Sequence, residues 1–141
     1  MYYKPLFLPI LIQVALTFAV WLRMYILRIR EMKAKHISPQ SVSTRAKGRA
    51  VLVDSAASAD NFMNQFEMPV LFYLAVVLAL ILMWQDSLLV ILSWTYVSLR
   101  ILHSIIHTTY NNVMHRFHVY FLSCIVLLFM WIRLGSFMLS G

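Results

Sequence analysis

The chain has 141 residues, 62% of them hydrophobic and 12% charged, with three glycines, a formal net charge of +7 and a mean hydropathy of +0.77. A soluble domain of this length is nearer half apolar and a quarter charged, so this composition excludes an ordinary aqueous globule, a disordered chain and a collagen-like repeat. A single cysteine, Cys124, forbids an intrachain disulfide, and in its apolar surroundings it reads as a small hydrophobe.

A membrane span needs about 20 mostly apolar residues, and four such segments follow one another. The first covers about 5–29. Its apolar run is long, no small-residue cleavage site follows it, and basic residues come directly after, so it reads as a retained helix rather than a signal peptide. The loop 31–60 is the one long connection, and Arg28, Arg30, Lys33, Lys35, Arg45, Lys47 and Arg49 cluster in or beside it. By the positive-inside rule the loop is expected to be cytoplasmic and the termini outward; Arg133, near the outer end of the last span, is the one dissent. This distribution assigns the positive charge to topology, so no nucleic-acid partner is expected, while contact with anionic membrane lipids is compatible with the same residues. Within the loop, Ser38 to Thr44 is turn-prone and Arg45 to Phe66 reads as helix, which starts the second helix before its span at about 61–84.

Pro69 lies inside that second segment and cannot donate its backbone hydrogen bond, which predicts a kink near Gln65. The third and fourth spans, about 87–110 and 117–139, are joined by tight connections, and Trp84, Trp94 and Trp131 read as belt residues. The expectation is one all-α membrane domain over 1–141, an up-down-up-down four-helix bundle.

Polar residues inside the spans carry the functional signal, because an ionised group near the bilayer centre costs about 2.5–3.5 kcal/mol on insertion scales and faces a partner or a cavity. Asp60, Asn64 and Glu67 share one face of helix two, with Glu67 about 10 Å in from the loop end at helical rise. Arg100, His103, His107 and Tyr110 share one face of helix three, and Arg116 and Tyr120 are one turn apart on helix four. All three groups fall at the same depth. Cations beside a buried carboxylate suit an anionic ligand, since arginine forks onto carboxylates and stabilises a thiolate or oxyanion. The same residues also fit helix glue with no ligand, with Glu67 pairing to Arg100. A third arrangement, His103 with His107 and His115 with His118 around a metal or haem, has few carboxylates and few histidines to support it.

The run Asn64-Gln65-Phe66-Glu67-Met68-Pro69-Val70-Leu71-Phe72, with Arg100-Ile101-Leu102-His103 and Arg116-Phe117-His118-Val119-Tyr120, resembles the MAPEG family, the membrane-associated proteins in eicosanoid and glutathione metabolism. The resemblance covers essentially the whole chain. It implies a homotrimer of four-helix bundles holding glutathione as cosubstrate between neighbouring subunits, with no metal. In that likeness Arg28, Asn64, Glu67, Arg100, His103, His107 and Tyr120 contact the tripeptide, and Arg116, with Tyr120 beside it, serves the thiolate. The implied activity is a transferase or peroxidase acting on a lipophilic small molecule; the alternative is a non-catalytic membrane scaffold or lipid-binding subunit. Two positions depart from the family pattern: Asp60 stands where a basic residue is usual, and His107 where a tyrosine is. Short loops and no organelle signal fit a bacterial-type member in an inner membrane at least as well as one in an endoplasmic reticulum.

Overall fold

A computed structural model of the chain describes residues 4–140, and these form helices and connections with no strand among the described residues. Helix α1 runs Lys4–Ala34, α2 Arg45–Val51, α3 Ala56–Asn64, α4 Met68–Ile81, α5 Ser87–Thr108 and α6 Val113–Ser140. Four segments are long and apolar enough to cross a membrane: α1, α3 with α4, α5, and α6. The bundle is the one expected, with α5 packed against α6 and α1, and α1 also against α3 and α4.

Two differences from the expected helices have physical causes. The stretch read as one helix from Arg45 to Phe66 is interrupted at 52–55, where another helix supplies the hydrogen-bond partners. The Glu31 carboxylate of α1 accepts from the Asp54 and Ser55 backbone N–H groups, at 3.0 and 2.9 Å, and from the Ser55 hydroxyl at 2.7 Å. Ser55, at the N-cap of α3, makes no side-chain cap of its own, so Glu31 caps that region from a distance. Lys35 closes the cluster at 2.6 Å from Glu31 and 2.9 Å from Asp54. The expected kink at Pro69 is a full break: helix stops at Asn64 and restarts at Met68, with Pro69 in the first turn of α4 where its missing N–H is harmless.

Other helix ends are satisfied by turns, by caps and by one contact from another helix. Met83, at φ 51°, closes α4 in a Schellman arrangement, with Trp84 N–H donating to the Ala79 carbonyl at 2.9 Å. Asp86 caps α5 through Leu88 N–H at 2.8 Å and pairs with Arg133 at 2.7 Å, which accounts for the arginine that opposed the charge rule. Arg23 of α1 donates to the Thr108 carbonyl at the end of α5 at 2.6 Å.

The interior divides by depth. Toward the termini the core is apolar, built on Phe72, Val76, Leu89, Tyr96, Met130 and Leu134, with Phe72 stacked on Tyr96 at 4.7 Å. Toward the loop it is polar. Gln13 donates to Gln65 at 3.0 Å, and Gln65 reaches Ser104 at 3.4 Å, which donates to Asn61 at 3.2 Å. All four are buried and join α1, α3 and α5.

Candidate functional site

Where α3 ends and α4 begins, the backbone break exposes Glu67, and the facing turns of α5 and α6 bring their polar residues to the same level. A cleft of about 390 Å³ opens there. Asp60, Asn64 and Glu67 form one wall, His103 and His107 another, and Arg116 and Tyr120 the third, with Val113 and Phe117 as apolar margins. Of the one-face groups on three helices, Asp60, Asn64, Glu67, His103, His107, Arg116 and Tyr120 meet here, while Arg100 and Tyr110 of the α5 face do not line the cleft.

Asn64 and His103 tie the walls together. His103 Nδ1 lies 3.2 Å from the Arg116 carbonyl, which can only accept, so that nitrogen carries the proton. Its Nε2 then faces the Asn64 amide at 3.5 Å. Arg100 is fully buried behind the cleft and is absent from its lining. One of its amino groups donates to the Asn64 carbonyl at 2.8 Å, satisfying the end of α3, and its guanidinium lies 5.4 Å from the centre of the Tyr120 ring. The expected Glu67–Arg100 ion pair does not form: the break turns Glu67 outward, and its carboxylate accepts from the Tyr120 hydroxyl at 3.4 Å instead.

Arg116 is held by an amide, not an acid. It donates to Asn111 Oδ1 at 2.9 Å and forms no salt bridge among the described residues. Asn111, at φ 46° in the tight turn before α6, adopts a conformation that asparagine tolerates, while Asn112 caps α6 by accepting from the Met114 and His115 N–H groups. Asp60, which lines the same cleft, pairs with Arg49 of the loop at 3.2 Å and forms no salt bridge with Arg116. Arg28 stands outside the main cleft. It lines two adjoining cavities of about 160 and 310 Å³, both shared with Arg49 and Asp60.

His103 and His107 have ring centres 5.7 Å apart, and His115 faces Tyr110 instead. Among the described residues no three histidine, cysteine or acidic side chains converge as a metal-ligand group. Sequence reasoning missed Asn111, which the paired asparagines of a tight connection signal, and the Gln13–Gln65 bridge, signalled by a lone amide within an apolar span.

Four membrane-spanning helices around a polar cleft at their loop end define an integral membrane bundle with a candidate site for a small polar ligand. The chain belongs to the MAPEG family, whose model matches residues 6–136. No curated protein and no solved structure matches it. Membership makes it an integral membrane protein of a glutathione-associated family of transferase and peroxidase type.

Proposed function

We propose that the chain is a membrane-bound, glutathione-dependent transferase or peroxidase acting on lipophilic electrophiles. One observation carries this reading: Asp60 pairs with Arg49, and among the described residues Arg116 has no acid partner, which makes it available to an anion. A guanidinium beside a thiol favours its thiolate, the nucleophilic form. The thiol proton leaves to solvent, and the thiolate sulfur forms its new bond as the electrophile's leaving group departs with its electron pair. Asn64, Glu67, His103 and His107 hold the tripeptide, Tyr120 sits beside the sulfur, and Arg100 acts through Asn64 and Tyr120. Arg28 reaches the ligand from a neighbouring copy in a homotrimer, its cavities completing the cleft across the interface. The loop faces the cytoplasm, the termini lie outward, and the membrane is a bacterial inner membrane.

A second reading, a scaffold that keeps the fold without turnover, draws on the Gln13–Gln65–Ser104–Asn61 network, which joins three helices with no need of a ligand. Calorimetry on the detergent-purified protein, with and without Arg116→Ala, separates the two. Saturable glutathione binding, with a thiolate absorbance that needs Arg116, supports the enzyme. Absence of binding up to about 10 mM, a free energy of roughly 3 kcal/mol, overturns it in favour of the scaffold.

A further inference from the structure

The cleft lining holds two carboxylates, Asp60 and Glu67, against one guanidinium, Arg116. With neutral imidazoles that wall is net negative. It faces a ligand that carries two carboxylates and one ammonium at neutral pH, so the lining alone would repel the molecule it is proposed to hold. Two cations outside the lining offset it: Arg100, buried behind the cleft against Asn64 and Tyr120, and Arg49 beside Asp60. Arg49, on α2, lies 3.2 Å from Asp60 and lines the two cavities that adjoin the cleft through Asp60.

We infer that Arg49 is a specificity-determining residue of the cleft, one that cancels Asp60 and thereby admits an anionic ligand. The inference rests on the glutathione reading and assigns to the loop helix a part in it. Arg49 and Asp60 are both exposed, at 77% and 52% of their side-chain surface, so burial does not hold the pair. Backbone anchors do. Thr44 caps α2 through Lys47 N–H, and Leu52 at the far end of α2 is buried. Buried Gly48 lets the helix sit against Arg28, whose guanidinium would be 3.2 Å from an added Cβ. On the other side, the Glu31 carboxylate fixes the start of α3, which carries Asp60. The loop therefore presents a cation to one particular acid at the mouth of the cleft.

The test is glutathione binding by calorimetry on the full-length chain in detergent, for the parent, Arg49→Ala, Arg49→Lys, Asp60→Asn and the Arg49→Ala/Asp60→Asn pair. Arg49→Ala is expected to weaken binding about five-fold at low salt, and less as ionic strength rises. Arg49→Lys restores the parent affinity, and so does removing the Asp60 charge in the Arg49→Ala background. A purely structural role for Arg49 would not be rescued by neutralising its partner. Glutathione monoethyl ester, with one carboxylate masked, should be less sensitive to Arg49→Ala. Parent-like affinity in Arg49→Ala, or a double variant as weak as Arg49→Ala alone, overturns the inference and leaves the glutathione reading standing. No binding by the parent overturns both.

Discussion

Arg116 owes its place to the Asn111 side chain and the first turn of α6, so its charge is positioned without being neutralised. Arg116→Ala is expected to lower kcat/KM toward a lipophilic electrophile by about 100-fold or more, the usual loss when a group stabilising developing charge is removed, with oligomer size unchanged; a parent-like rate removes Arg116 from the mechanism. Glu67 invites the opposite experiment. Exposed, and with its carboxylate hydrogen-bonded among the described residues to the Tyr120 hydroxyl alone, it should tolerate Glu67→Gln with little change in thermal unfolding while glutathione affinity falls. A large drop in melting temperature would mean that Glu67 is structural after all. Helical spacing alone made Asn64, His103, His107, Arg116 and Tyr120 legible as one cluster, because three faces at a common depth must meet. It could not show that Glu67 and Arg100 stay apart, since that depends on a backbone break that turns one side chain out while the other serves the Asn64 carbonyl.

At the scale of helices, the four crossings were readable from hydropathy, because a span's length and apolarity are properties of the sequence itself. The interruption at 52–55 was not, because its hydrogen-bond acceptor is Glu31, more than twenty residues earlier in another helix. Glu31→Ala strands the Asp54 and Ser55 N–H groups, leaves Lys35 with Asp54 as its remaining partner, and is expected to destabilise by about 1–3 kcal/mol. Thermal unfolding and limited proteolysis at 52–55 measure this, and resistance equal to the parent would show that the clamp is dispensable. The Glu31 side chain, and then that of Asp54, hold the Lys35 ammonium above its ordinary value of 10.5. Its contribution is thus complete below that value and is lost only as pH rises past the folded one. Asp86→Ala removes both the cap of α5 and the partner of Arg133, and should cost about 0.5–2 kcal/mol in the same assay for the cap alone.

Taken whole, the molecule is apolar inside toward its termini and polar inside toward its loop, while Phe18, Leu74, Ile91, Leu128 and Phe129 leave its outer surface apolar. That surface suits acyl chains. The proposed shared site assigns Arg28 to a neighbouring copy's ligand, since in its own chain Arg28 lines cavities beside the cleft and not the cleft itself. Native mass spectrometry in detergent should give three chains per particle. A stable monomer that still binds glutathione would remove Arg28 from the site and leave the cleft complete within one bundle. Nothing in a single sequence could have fixed the copy number, since apolar faces against lipid and against protein look alike.

The break before Met68 leaves α4 with 14 residues, about 21 Å of helix, against roughly 30 Å of hydrocarbon. The rest of that crossing belongs to α3, whose inward side carries Asn61 and Asn64. Within this one crossing, a short apolar helix is joined end to end to a polar one, and the cleft opens at the join. In the proposed reaction, a thiol that dissolves in water and an electrophile that dissolves in fat meet where those two halves are spliced.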